Sequence, residues 1–149
     1  HLRKSHSQIV GLRYFNVYGP FEEHKNRMAS VIFHFYNQMK KNKRINIFEG
    51  SHGLENGEHK RDFIHVDDLA NAFIKIIKSK YVNKIYNLGS GKKTSINTIA
   101  KIFNGKKKFI PIRPGEPRNS LANMSKLKKD INWKPKISIE LGIKKLLRS

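Results

Sequence analysis

Apolar positions along the 149 residues switch repeatedly between two spacings. Residues 8–17 are rich in β-branched and aromatic side chains and end at Gly19-Pro20, which predicts a buried strand running into a turn. Apolar residues then recur at 28, 31, 32, 35, 36 and 39, a helical spacing, until Asn42-Lys43 breaks it. A short strand is expected over 45–48, a polar loop with three glycines over 49–60, and another strand over 62–66. Asp67-Asp68 reads as the acidic cap of a helix reaching about Ser79, with Leu69, Ala72, Phe73, Ile76 and Ile77 as its buried stripe. Beyond it come a strand at 84–88 closed by Gly89-Ser90-Gly91, a helix capped by Ser95 and ending at Phe103, and a strand at 109–112. Prolines 111, 114 and 117 punctuate the segment leading away from that strand. Ser125 starts a short helix that Trp133-Lys134-Pro135 closes, and 138–148 form the last one. Strands alternating with helices predict an α/β protein, with neither an internal repeat nor a low-complexity linker.

Composition changes this picture in a few places. The length suits one domain with a core. The chain opens on His1 with no signal-peptide pattern, so it is read as a truncated piece. No run approaches the roughly 20 apolar residues of a membrane span. Cysteine is absent, which excludes disulfides and thiolate metal sites, and His52, His59 and His65 have no metal-ligand spacing. These features predict a cytoplasmic protein without a metal. The formal charge of +20 raises nucleic acid as a partner. Against that, the lysines are scattered, and plentiful Lys, Asn and Ile with little Ala are what an AT-rich coding sequence yields. Nucleic acid is therefore not the expected partner; a small anion such as a nucleotide diphosphate also suits the positive surface.

The first chemical signal is Asn16, a polar residue at the end of the predicted strand, where ligands sit in open α/β sheets. It offers a donor and an acceptor to a sugar hydroxyl or carbonyl. On spacing alone it could equally cap the following turn. Three motifs then occur in order: Arg-Tyr-Phe-Asn-Val-Tyr-Gly-Pro at 13–20, Asp-Phe-Ile-His-Val-Asp-Asp at 62–68, and Tyr-Asn-Leu-Gly-Ser-Gly at 86–91. Together they resemble the signatures of the extended short-chain dehydrogenases, the nucleotide-sugar epimerases and dehydratases. The resemblance implies that residues 1–149 are the C-terminal portion of an extended Rossmann-fold epimerase: the last cofactor-domain strands and a smaller substrate-binding domain.

Two further stretches resemble the ADP-L-glycero-D-manno-heptose 6-epimerases within that family: residues 24–34, beginning His24-Lys25, and Phe48-Glu49-Gly50-Ser51 followed by 60–63. That resemblance implies an NADP-dependent inversion at C6 of an ADP-heptose, feeding lipopolysaccharide core synthesis, and a homopentamer. A hydride leaves C6, giving a ketone, and returns to the other face. Removal needs a base for the hydroxyl proton, and return to the opposite face needs an acid there. One such group is the family's Tyr-x-x-x-Lys, which precedes Gly11 in family order together with the glycine-rich dinucleotide turn. The other falls on Lys25. By resemblance Asn16 touches substrate and Val17 touches the nicotinamide end of the cofactor. Arg27, His34, Phe48, Glu49, Gly50, Ser51 and Arg61 fall on substrate positions, with Arg61 suited to a diphosphate. The chain alone is expected to be inactive.

Some features depart from the pattern. Arg27 stands where a small Ser is common, and no counterpart of the family's C-terminal substrate-contacting Tyr occurs over 113–123. Arg-Pro-Gly-Glu-Pro-Arg at 113–118 instead resembles the generic sugar-epimerase tail, in which Arg113 grips the diphosphate. This keeps another nucleotide-sugar epimerase or a 4,6-dehydratase open, beside a non-catalytic basic binding module and a decayed gene product. Tyr36-Asn-Gln-Met-Lys40 matches Tyr-x-x-x-Lys literally but follows the strand motif, and Tyr36 lies on the helix's apolar stripe. Gly89-Ser-Gly-Lys-Lys-Thr94 lacks the ending of a phosphate loop and reads as a strand-to-helix turn.

Overall fold

The structure, a computed structural model, describes residues 9–80 and 83–148; Gln8, the first residue of the predicted opening strand, lies outside them. The strands are β1 (Val10–Tyr14), β2 (Asn16–Tyr18), β3 (Arg44–Phe48), β4 (Lys60–His65), β5 (Lys84–Leu88), β6 (Lys93–Ser95) and β7 (Lys106–Ile110). The helices are α1 (Val31–Asn42), α2 (Val66–Ile77), α3 (Ile96–Phe103), α4 (Ser125–Ile131) and α5 (Ile139–Arg148). β1 pairs in parallel with β5 and β3 with β7; β2 pairs in parallel with β4, which pairs antiparallel with β6.

The opening strand divides at Phe15. Its N–H still donates to Leu88 O, but Asn16 already faces Phe63 of β4, so the chain changes sheets within two residues. The helix expected from residue 28 begins at Val31 instead, because Ser30 caps it by accepting from Phe33 N–H at 3.1 Å. Residues before it form a 3-10 turn, Glu23–Met28. Two clusters form the core. One gathers Tyr18, Phe35, Ile45, Phe103 and Ile143; the other gathers Ile64, Ala72, Tyr86, Leu127 and Trp133.

Two expectations for α2 are corrected. Its cap is His65, whose Nδ1 accepts from Asp67 N–H, and neither aspartate caps it. Asp68 is buried and accepts from Lys136 and Ile137 N–H, tying down the segment before α5. Asp67 pairs with Lys145 at 2.6 Å, which holds its carboxyl below the usual range. The buried stripe is also narrower than expected. Phe73 and Ile77 are exposed, while Ala72 and Ile76 are buried and Leu69 packs against them. The covered sides meet β2 and β4 and the segment that carries Trp133, Lys136 and Ile137.

His65 has a stability consequence. Because Nδ1 accepts, the ring proton sits on Nε2, which is buried and has no partner among the described residues. Burial pushes the imidazole pKa down from 6.5, only partly offset by Asp67. The unfolded chain therefore takes up this proton first as pH falls, and the folded state loses stability below about pH 6.5. His65→Asn keeps a cap acceptor and cannot titrate. Thermal melts of the full-length protein between pH 7 and pH 5 should show a flatter decline for the variant, and parallel curves would refute this role for His65.

Candidate functional site

Beyond the C-terminal end of β1, where Phe15 and Asn16 follow Tyr14, lies a cavity of about 470 Å³. Its walls come from the start of β2, the 3-10 turn, the first turns of α1, the ends of β3, the start of β4, and the loop after β7. Asn16, Val17, Lys25, Arg27, His34, Phe48, Arg61 and Arg113 all line it, so one cavity gathers eight residues spread over almost 100 positions of sequence.

Asn16 is already half committed. Its amide nitrogen donates to Asp62 O at 3.0 Å and to Ser120 Oγ at 3.2 Å. Both donors are thus occupied, and what it presents is the carbonyl oxygen, an acceptor for a hydroxyl. Val17 follows it, half buried. Lys25 is partly exposed, with its ammonium 3.4 Å from the buried carboxylate of Glu22. His34 Nε2 meets Arg27 O at 3.3 Å, which links α1 to the 3-10 turn.

Arg61 is buried. It does not pair with Glu58, three residues before it. Its guanidinium donates to Glu116 Oε1 at 2.7 Å and to Lys60 O at 2.9 Å. The other oxygen of Glu116 takes Arg113 at 3.0 Å. Arg113, largely exposed, also lies over the Phe48 ring, 5.0 Å from its centroid, within cation–π range. One carboxylate thus gathers two guanidiniums on one wall, leaving net positive charge that suits a diphosphate.

Glu49, Gly50 and Ser51 sit beside the cavity and do not line it. Glu49 N–H extends the β3–β7 ladder to Ile110 O. A Cβ on Gly50 would lie 1.9 Å from Leu54 O, so the loop's tight fold requires glycine there. Ser51 Oγ lies 3.4 Å from His59 Nε2. Neither decoy motif belongs to the site. Tyr36 is buried in the core with Lys40 over its ring. The turn at Gly89–Gly91 receives a carboxylate instead of a phosphate: Ser90 and Gly91 N–H donate to Asp62.

Sequence reasoning missed Glu22, Glu116 and Asp62. Glu116 stands three residues after Arg113, a spacing that could have flagged the pair. Glu22 likewise stands three residues before Lys25, but its burial and its bonds to Gly19 and Ser30 have no local signal. Asp62 sits inside a recognised motif, yet its partners are 28 to 60 residues away.

Parallel strands ending at a polar cavity with paired arginines define the ligand-facing part of an extended Rossmann-type α/β fold. The chain belongs to the NAD dependent epimerase/dehydratase family, whose sequence profile matches residues 1–89. It is similar to the ADP-L-glycero-D-manno-heptose-6-epimerase of Brachyspira hyodysenteriae, 39% identical over 151 residues, covering 95% of this chain and 46% of the relative. Among solved structures it is similar to the ADP-L-glycero-D-manno-heptose-6-epimerase of Helicobacter pylori, with a TM-score of 0.82 and 30% identity, covering 95% of this chain and 43% of that one. It is equally similar to the UDP-glucose 4-epimerase of Thermotoga maritima, with a TM-score of 0.83 and 30% identity, covering 98% and 47%. The chain spans less than half the length of each of these relatives.

Proposed function

We propose that the protein containing this chain is a nucleotide-sugar epimerase that inverts C6 of ADP-D-glycero-D-manno-heptose, and that these residues form most of its sugar-nucleotide site. The observation carrying this reading is the single cavity in which Lys25, Asn16 and the Arg61–Glu116–Arg113 cluster converge. Its chemistry divides along the walls. Arg61 and Arg113 hold the diphosphate, with Phe48 beside it. The Asn16 carbonyl accepts from a sugar hydroxyl. Lys25 exchanges the hydroxyl proton on one face of the reacting carbon, and the partner acid/base belongs to sequence before Gly11. Arg27 and His34 close the sugar end, and the Glu49–Gly50–Ser51 loop flanks the nucleotide end.

A nicotinamide cofactor, NADP in this reading, supplies hydride acceptance and return when bound. The residues present fit one end of it: Phe15 and Val17 give the cavity an apolar flank beside Asn16. The assembly is proposed to be a homo-oligomer, and no helix among the described residues is long and apolar enough to cross a membrane.

A second reading, an epimerase of a UDP-sugar, is favoured by the Arg-Pro-Gly-Glu segment at 113–116 and the equal likeness to a UDP-glucose 4-epimerase. Incubating the full-length protein with ADP-D-glycero-D-manno-heptose, and separately with UDP-glucose and UDP-glucuronic acid, separates the two. Inversion of the ADP-heptose alone is expected, read by proton NMR of the sugar. Turnover of the UDP-sugars alone would move the assignment to the second reading.

A further inference from the structure

We infer that Glu22 is the positioning residue for Lys25: its buried carboxylate fixes where the lysine ammonium stands in the cavity. This rests on the proposed role of Lys25. Glu22 is only 3% exposed, and a buried carboxylate persists only where donors compensate it. One oxygen accepts from Gly19 N–H at 3.1 Å and Ser30 Oγ–H at 2.8 Å; the other accepts from Ser30 N–H at 2.8 Å. These three bonds join the residue after β2 to the N-cap of α1. They satisfy the carboxylate without any lysine.

Lys25 then approaches the second oxygen at 3.4 Å. A tight charge-assisted bond is shorter, about 2.7–2.9 Å. The ammonium is therefore held near its partner but not locked onto it, as a group that must exchange a proton with substrate requires. The turn that delivers it is shaped for the purpose. Phe21 has φ 66° and Asn26 has φ 48° with ψ −124°, so two non-glycine residues bracket Glu22–Lys25 in costly backbone regions. Such conformations persist where surrounding bonds over-determine them, and the Glu22 carboxylate supplies those bonds. The other charged groups on the cavity wall do not replace it. Arg27, Arg61 and Arg113 repel an ammonium, His34 and His59 are engaged elsewhere, and Glu116 is held by both arginines.

The test uses full-length protein with Glu22→Gln, which removes the charge; its one oxygen can still accept from Gly19 N–H and Ser30 Oγ–H, while its NH2 group replaces the oxygen that faces Ser30 N–H and Lys25. A kcat lowered by about tenfold or more is expected, with KM for the nucleotide-sugar within about twofold, because orientation is lost while diphosphate binding is kept. A second measurement needs no substrate: labelling of Lys25 by acetic anhydride, read by mass spectrometry, should speed up severalfold once the amine is released. Asp68→Asn removes a different buried carboxylate, remote from the cavity. It should lower the melting temperature and leave both readouts at wild-type values. Should Glu22→Gln not fold, Glu22→Asp keeps the charge but draws it back by one methylene, and intermediate values are expected. Unchanged Lys25 labelling, or a kcat loss that Asp68→Asn reproduces, would overturn the inference. If the wild type turns over none of the sugars, the functional reading fails by itself, and the labelling comparison still decides the role of Glu22.

Discussion

Lys25→Ala in the full-length enzyme is expected to lower kcat by about 10²–10⁴-fold, the usual loss when a positioned acid/base is removed. KM should change little, because Arg61 and Arg113, the proposed diphosphate contacts, lie on another wall. The fold should survive. Lys25 is partly exposed and its ion pair with Glu22 is long, so its loss costs at most about 1 kcal/mol, and Glu22 keeps three other donors. Small primary amines added to the assay should restore part of the rate by entering the space left. Steady-state kinetics with NMR detection checks both statements. Turnover within a factor of about three of wild type would remove Lys25 from the mechanism and leave the cavity as a binding site whose chemistry lies elsewhere.

Asp62→Asn is expected to be the most destabilising single polar substitution in this part of the protein. Asp62 is fully buried. One carboxylate oxygen accepts from Ser90 N–H and Ser90 Oγ–H, both at 2.6 Å; the other accepts from Gly91 N–H at 2.9 Å and Ala122 N–H at 3.0 Å. Three separate stretches thus meet on one side chain: β4, the turn after β5, and the tail that carries Ser120. An asparagine would turn an NH2 group toward two of those donors. Leaving them unsatisfied in the interior costs roughly 3 kcal/mol or more in total. For a protein of about 150–250 residues, about 6–12 °C of melting temperature would go with it, and proportionally less for a longer chain. The same change loosens Ser120, and with it the clamp on Asn16, so substrate affinity should fall too. A melting temperature within about 2 °C of wild type would show that these bonds are not what holds the motifs together.

The clamp on Asn16 also explains how much of the site was legible in sequence. Asn16, Lys25 and Arg61 stand in local motifs, and a motif carries its own register, so each could be placed without knowing its neighbours. Glu22 and Glu116 could be placed only in part: each stands three residues from a cation, Lys25 or Arg113, but the rest of their importance lies in what they touch elsewhere. Glu116 matters through Arg61, 55 positions away, and no local spacing encodes that contact. α2 shows the same limit in the fold. Its apolar positions were all visible, but five of them span a wider face than β2 and β4 cover, so Phe73 and Ile77 lie outside the contact. His65 looked like an unassigned histidine and proved to be the cap, since capping depends on backbone geometry at the strand-to-helix junction.

By itself, then, the sequence determined the α/β class, the family, and the order of strands and helices apart from the short β6, which it did not predict, and the division of β1 from β2, because periodicity and short motifs are properties of neighbouring residues. It also ruled out the two decoys, since chain order and helical phase are equally local. The tertiary structure alone decided that the opening strand divides between two sheets, that Asp62 fills the turn at Gly89–Gly91, and that Glu22 and Glu116 organise the cations of the cavity. Buried charges are satisfied by whatever donors the fold brings near, and those donors come from anywhere in the chain.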